Sequence, residues 1–239
     1  IGHTFVRGIM RSAASLTYEA AQAAVDGRLN DDTTPLLDTA LRPLFAAYRS
    51  LSKARTARQP LALDLPERQI ALDHKGKVTA VTFKDRLDAH KMIEDFMVLA
   101  NVAAAETLIA GRRPLLYRVH EEPAPEKLDA LRDVAGAGGF ALAKGQVLQT
   151  RHLNALLAAA RDTEFSETIN LSTLRAMQQA YYHPENFGHF GLALKAYAHF
   201  TSPIRRYADL IVHRALISAH GWGDDGLTQE DIDGLEDTA

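Results

Sequence analysis

The chain has 239 residues, of which 46% are hydrophobic and 24% charged, a composition typical of a globular protein rather than a disordered one. It contains no cysteine, which excludes a disulfide framework and a thiolate metal site and is compatible with a reducing cytosol. The formal net charge of −3 excludes a surface that is basic throughout, so any path for nucleic acid must be a local groove. No apolar run approaches the roughly 18 residues needed to cross a bilayer, so no membrane partner is expected.

The first half of the chain combines helical and strand patterns. Thr17 is a suitable N-cap for a helix over residues 18–26 that ends at Gly27. Apolar residues at helical spacing predict two longer helices, over residues 36–57 and 86–110. Short apolar runs between turn residues predict strands. These predicted strands cover residues 5–11, 61–65, 70–73 and 78–83.

The second half is predicted to be mainly helical. A strand over residues 115–120 is followed by helices over residues 126–134, 150–162 and 172–181. Together these elements predict an α+β fold that is mostly helical, with short antiparallel strands. We find no internal repeat and no phosphate-cradling Gly-x-x-x-x-Gly-Lys loop.

One face of the predicted helix over residues 36–57 is basic. A charged helix face is most often a solvated surface, but in an RNA-binding protein it would form a basic patch. The basic residues of this face are Arg42, Arg49, Lys53, Arg55 and Arg58.

The last predicted helix starts with two arginines. Ser202 is a good N-cap and Pro203 a good first helical residue. Arg205 and Arg206 then fall in the first turn, where the helix dipole disfavours cations by roughly 0.3–1 kcal/mol each. Two interpretations stay open. Arg205 forms an ion pair with Asp209 four residues on, or both guanidinium groups and the free backbone N–H groups hold a phosphate.

The surrounding segment resembles the signature of the RNB ribonucleases, the family of ribonuclease II and ribonuclease R. The shared pattern is His-aromatic-Gly-aliphatic, then Tyr-Ala-x-Phe-Thr-Ser-Pro-Ile-Arg-Arg-Tyr-x-Asp, then a further His. In this chain the pattern is carried by His189, Phe190, Gly191, Tyr197, residues 200–207, Asp209 and His213. The resemblance runs from about residue 5 to about residue 219 and is closest to the ribonuclease R branch, through residues 182–186. So long a match is far more specific than a four-residue motif.

The resemblance implies that residues 1–239 form part of an RNB catalytic domain. It gives Arg205 the role of holding the scissile phosphate, with Asp209 orienting the Arg205 guanidinium. Tyr18 matches the family's tyrosine beside the 3′ end of the RNA. Glu94 matches a glutamate that contacts the ribose near the cleavage point, where a carboxylate can accept from a 2′-OH that DNA lacks.

Three more residues are assigned to RNA binding by the resemblance. Arg206 and Tyr207 belong to the signature itself, and Arg206 is expected to face either the RNA backbone or solvent. Leu63 occupies the position of an aromatic that stacks on a base in the family. Leucine has no π-face, and such stacking contributes about 1–3 kcal/mol per base. Either the match to the family is displaced by one residue here, or this protein holds the RNA less tightly at this point.

The implied reaction is processive hydrolysis of single-stranded RNA from its 3′ end to nucleoside 5′-monophosphates. In the family, Mg²⁺ supports this hydrolysis and is bound by an aspartate cluster that precedes the position of Tyr18. No such run of aspartates occurs here. We therefore expect residues 1–239 to be a fragment that lacks the metal-binding part of its domain and is inactive alone, with residues 220–239 as an incomplete polar segment. The family's catalytic glutamate is expected beyond residue 239.

The resemblance also implies flanking RNA-binding domains, a monomer and a cytoplasmic location. Two other functions stay open on the sequence. The first is a non-catalytic RNA-binding scaffold that keeps the fold and lacks the aspartates. The second is an unrelated helical adaptor in which the basic helix arises by chance.

Overall fold

The computed structural model describes residues 2–65, 68–83, 86–145 and 147–235. Within these residues the protein is mainly helical with two small antiparallel sheets, which confirms the predicted α+β class. A 3-10 turn at Thr34–Leu36 and a π-helical turn at Leu37–Leu41 lead into the second helix. The helices are α1 (Tyr18–Val25), α2 (Arg42–Arg58), α3 (Asp88–Ala110), α4 (Pro125–Ala137), α5 (Thr150–Ala160), α6 (Ser166–Ala176), α7 (Tyr207–His220) and α8 (Gln229–Asp233).

Each sheet has two strands. Strands β1 (Arg68–Leu72) and β2 (Val78–Phe83) form a hairpin. Its turn is closed by the Asp73 carboxylate, which accepts the backbone N–H groups of Lys75 and Lys77 at 2.8 and 2.9 Å. Strands β3 (Tyr117–Val119) and β4 (Tyr181–His183) pair across a sequence gap that contains α4, α5 and α6. The second sheet therefore joins the middle of the chain to the start of the signature segment.

Two apolar clusters hold the helices together. Helix α3 packs against α7 through small and aliphatic side chains, among them the fully buried Ala104, Leu108 and Val212. The alanines of α3 let the two helices approach closely. Leu131, Leu153 and Ile169 belong to a second cluster that joins α4, α5 and α6. Helix α3 is thus the central support for the signature helix α7.

Three predicted elements differ from the structure. Residues 5–11 form no strand, because Arg7 fixes this segment to the Trp222 carbonyl and the Asp225 carboxylate instead of to a neighbouring strand. Residues 61–65 also lack a strand, since the side chains of Asn154 and Asn170 accept the backbone N–H groups of Ala62 and Asp64. The predicted helix over residues 172–181 is wrong at both ends. Helix α6 begins at Ser166 and ends at Ala176, and residues 181–183 pair with β3.

Residues 220–235, expected to be part of a polar segment, include helix α8. Arg214 on α7 forms an ion pair with Asp231 on α8 at 2.7 Å, and Leu235 is buried against Ala208 and Ile211. Residues 236–239 lie outside the described residues. None of the helices in the described part of the chain is long and apolar enough to span a membrane.

Candidate active site

The buried carboxylate of Asp209 organises the segment that precedes α7. One carboxylate oxygen accepts the backbone N–H of Ser202 at 2.7 Å and the Nη2–H of Arg206 at 2.8 Å. The other oxygen lies 2.7 Å from the Arg206 Nε. Asp209 has no exposed side-chain surface, and a buried carboxylate needs both charge and hydrogen-bond partners. Asp209 therefore fixes the turn before α7 to the first turn of that helix.

This arrangement corrects two predictions. Helix α7 begins at Tyr207 and not at Pro203, because the backbone of Arg206 is extended (φ −130°, ψ 117°). The Ser202 carbonyl instead accepts the N–H groups of Arg205 and Arg206 in a tight turn. The ion pair of Asp209 is with Arg206 and not with Arg205, since the turn carries the Arg206 guanidinium back over the start of the helix.

Arg205 is left on the surface of this turn. Its Nη2–H donates to the Ser202 hydroxyl at 3.4 Å, and no acidic side chain pairs with it among the described residues. Ile204 and Tyr207 beside it are also exposed. An exposed, planar guanidinium on a rigid turn has most of its five donors available for an anion.

Asn101 on α3 connects the helix to the signature segment. Its side-chain carbonyl accepts the backbone N–H groups of Phe200 and Thr201 at 2.9 and 3.2 Å, and its NH₂ donates to the Tyr197 hydroxyl at 2.8 Å. Asn101 is almost fully buried, and burial raises the pKa of Tyr197. Sequence reasoning missed Asn101, although an amide between alanines on a buried helix face was a visible signal.

Tyr18 lies at the start of α1 and is 42% exposed. The Thr17 hydroxyl caps the helix by accepting the Ala20 N–H at 3.1 Å, as predicted. The Tyr18 ring lies against the imidazole of His90 on α3, with ring centroids 4.2 Å apart. One face of the Tyr18 ring is thus covered by His90, and the rest of the ring is accessible to solvent.

Glu94 on α3 is held by two arginines. Its carboxylate lies 3.3 Å from Arg55 Nη2 and also pairs with Arg86. Arg55 in turn donates to the neighbouring Asp95 at 2.8 Å. Sequence reasoning placed Arg55 on a basic face of α2, but the structure directs it to two acids of α3. Two more members of that face are engaged, because Arg42 pairs with Asp38 and Arg58 donates to the Leu192 carbonyl.

A cleft of about 630 Å³ opens between α2, α3 and α5 beside this cluster. Arg55, Arg86, Lys91 and Arg151 line it, together with Asp95. The cleft is basic, as a local path for a polyanion requires, but its lining does not include the turn at Arg205. Leu63 is outside it and packs against the α4–α6 cluster, so its assignment to RNA binding stays a prediction.

Behind the signature turn lies a group of largely buried imidazoles. Burial lowers the pKa of His189 to about 3, with a further contribution from His120. Burial also lowers the pKa of His199 to about 4, with Arg206 as the next cause. His199 Nδ1 lies 2.8 Å from the Tyr182 hydroxyl, and the Arg118 guanidinium lies over the Tyr182 ring. These histidines are neutral supports for the site at physiological pH.

Gly191 packs directly against the His120 imidazole, where only a glycine fits. Its N–H donates to His120 Nδ1, and a Cβ at this position would lie 2.7 Å from that nitrogen. Any side chain here would therefore displace the His120 ring.

The described side chains do not form a site for a divalent cation. Among them, no three His, Asp or Glu residues come together as a divalent cation would require. His90 and Glu94 have helical ligand spacing, but His90 contacts Tyr18 and Glu94 contacts arginines. We assign no Mg²⁺ ligand among the described residues.

The family model of the RNB domain matches residues 1–220. The chain therefore belongs to the RNB-domain family, as the signature indicated. Among curated proteins it is similar to ribonuclease R of Escherichia coli, with 37% identity over 233 residues, 96% of this chain and 28% of the relative. The chain thus spans under a third of that relative's length.

Solved structures give the same fold. The chain is similar to ribonuclease R of Mycoplasma genitalium in complex with ribose-methylated single-stranded RNA, with a TM-score of 0.78, 27% identity and coverage of 91% of this chain and 34% of that one. It is also similar to yeast Ssd1, described as a pseudonuclease, with a TM-score of 0.65, 22% identity and coverage of 93% and 27%. The second likeness shows the fold alone.

Proposed function

We propose that this chain is the substrate-positioning part of a 3′-to-5′ exoribonuclease that processively hydrolyses single-stranded RNA to nucleoside 5′-monophosphates. The observation that carries the proposal is the exposed guanidinium of Arg205 on a turn that Asp209 and Arg206 make rigid. A preorganised cation stabilises the charge that develops on a phosphate without reorganising during the reaction. The relatives from Escherichia coli and Mycoplasma genitalium are both named ribonuclease R, which supports this substrate class.

Each site residue has a separate role in this proposal. Arg205 holds the scissile phosphate, while Arg206 and Asp209 hold Arg205 in place through the turn. Tyr18 positions the 3′-terminal nucleotide with the open side of its ring. Glu94 accepts from a ribose 2′-OH and so favours RNA over DNA. Tyr207, exposed beside Arg205, offers a further ring and hydroxyl to the RNA.

The metal belongs to another part of the protein in this proposal. RNB ribonucleases are generally dependent on divalent metal, which activates water and stabilises both oxygens of an in-line displacement. We propose that the Mg²⁺ ligands lie outside residues 1–239, because the sequence contains no counterpart of the family's aspartate cluster. A cytoplasmic location, a monomeric state and flanking RNA-binding domains stay predictions.

The proposal is tested with the intact protein that contains this chain and with residues 1–239 alone. With Mg²⁺ and a 5′-labelled single-stranded RNA, the intact protein should shorten the RNA from its 3′ end and release monophosphates. The 239-residue chain should retain RNA in a filter-binding assay at low salt and release nothing. Monophosphates released by the 239-residue chain would contradict the assignment of the metal to another part of the protein.

The same assays separate the two other functions. RNA binding by both proteins without any monophosphate would indicate a non-catalytic scaffold. Absence of RNA binding by either protein, even at low salt where phosphate contacts are strongest, would indicate an unrelated adaptor. The likeness to a pseudonuclease rests on the fold alone and does not favour the scaffold.

A further inference from the structure

We infer that Arg55 is a positioning residue for sugar discrimination, because its guanidinium contacts the Glu94 carboxylate with one terminal nitrogen and the buried Asp95 carboxylate with the other. This inference rests on the proposed function and on the ribose role of Glu94 within it. It adds to that role a residue on a different helix, which the sequence presented as one member of a basic surface.

The geometry around Arg55 is that of a fork between two acids. Glu94 and Asp95 are consecutive on α3 and therefore point about 100° apart around the helix. One terminal nitrogen of Arg55 donates to Asp95 at 2.8 Å, and the other lies 3.3 Å from Glu94. A planar guanidinium reaches both carboxylates at once, whereas the point charge of a lysine ammonium does not offer two fixed donors.

Burial makes this fork rigid. The Asp95 side chain is 8% exposed and the Arg55 side chain 32% exposed. Arg86, the second cation on Glu94, is 62% exposed and contacts the other carboxylate oxygen. Arg55 is therefore the more buried of the two cations that contact Glu94 and has the additional buried partner Asp95.

The Glu94 carboxylate can bind a ribose hydroxyl while it stays paired with Arg55. Each carboxylate oxygen has two lone pairs, so an oxygen that accepts from an arginine can still accept from a ribose hydroxyl. Fixing a glutamate side chain before the substrate arrives removes rotamer entropy from the binding step. A 2′-OH benefits from that preorganisation, and a deoxyribose does not. Loss of Arg55 should therefore affect ribose substrates selectively.

The experiment uses the intact protein and a set of single-stranded oligoribonucleotides, each with one 2′-deoxyribose among the last few positions at the 3′ end. The quantity measured is the ratio of kcat/KM for the all-ribose oligonucleotide to that for each substituted one. The position with the largest wild-type ratio identifies the sugar that is recognised. At that position Arg55→Lys should lower the ratio about tenfold, with the loss concentrated in the all-ribose substrate.

Control variants separate positioning from general structural damage. Arg214→Lys removes a comparable two-point pair, with Asp231 at 2.7 and 3.0 Å, that joins α7 to α8 away from the cluster. It should leave the ratio unchanged. Asp95→Asn keeps the shape of the buried partner but removes its charge and so weakens its contact with Arg55. It should lower the ratio in the same direction as Arg55→Lys. If Arg55→Lys does not fold, as judged by circular dichroism, Asp95→Asn carries the test.

An unchanged ratio in folded Arg55→Lys, or equal losses on both substrates, would overturn the inference. Glu94→Gln shows where the failure lies. If Glu94→Gln lowers the ratio and Arg55→Lys does not, the positioning role is wrong and the proposed function stands. If Glu94→Gln also leaves the ratio unchanged, the ribose role of Glu94 is wrong as well.

Discussion

The two adjacent arginines of the signature have different environments, which their sequence spacing from Asp209 did not predict. Asp209 is inaccessible to solvent and binds Arg206, which lies three residues before it. Arg205, four residues before Asp209, is exposed and bound only to the Ser202 hydroxyl among the described side chains. The arginine that is available to bind an anion is therefore Arg205, which takes no part in the buried ion pair.

Arg205→Ala in the intact protein should lower kcat by roughly 10²–10³, or about 2.7–4 kcal/mol, by analogy with the removal of one donor from an oxyanion hole. The fold should be retained, because the Arg205 side chain makes few contacts. Turnover of labelled RNA at saturating substrate checks the loss. Arg161→Ala, which removes an exposed arginine at the end of α5, is the matched control and should be near normal. A near-normal rate for Arg205→Ala would contradict the phosphate role.

Helix α3 is the element on which the site depends. It carries Glu94 and Asp95 towards α2, and two turns later Asn101 towards the signature segment. Its alanines then pack against α7. A displacement of α3 would therefore move Glu94 and the signature turn together.

Asn101→Ala should lower the free energy of unfolding of the chain by about 2–3 kcal/mol, since each buried donor left without an acceptor costs about 1–3 kcal/mol. The variant leaves the backbone N–H groups of Phe200 and Thr201 without their acceptor. Urea denaturation followed by circular dichroism measures the change. Asn154→Ala removes a similar bridge, to the Ala62 N–H, at a more accessible position where water can substitute, and should lose less. Equal losses would indicate that burial is not the cause.

At the scale of the whole molecule, buried histidines couple folding to pH. His189 and His199 have folded-state pKa values of about 3 and about 4, both lowered by burial, and burial also lowers the pKa of His120. In the unfolded chain a histidine has a pKa of about 6.5. Below that pH the unfolded state binds more protons than the native state, so acid favours unfolding.

The free energy of unfolding should therefore decrease as the pH falls from about 6.5 towards 4, before most carboxylates are protonated. Asp231, whose pKa is lowered to about 2 by its hydrogen bonds to Thr228, contributes stability that is lost only at still lower pH. Urea denaturation at a series of pH values measures the slope. His199→Gln should reduce it. A free energy of unfolding that is constant between pH 7 and pH 4 would contradict neutral burial of these histidines.

Local signals in the sequence determined much of this protein. The long match around the signature predicted the family that the RNB model confirms. The Thr17 cap, the apolar periodicity of α3 and the final turn residue Gly111 predicted those helices, because such signals depend on residues within a turn or two of each other.

Only the tertiary structure decided the partners of the charged side chains. The spacing of Arg205 and Asp209 was suitable for an ion pair. The backbone turn at Ser202 instead places the Arg206 guanidinium against the Asp209 carboxylate. Arg55 contacts Asp95, which lies 40 residues further along the chain. Strand β4 pairs with β3 across more than 60 residues. No local sequence pattern specifies either contact. Ion pairs and strand pairings depend on which elements the fold brings together, and one segment of sequence does not contain that information.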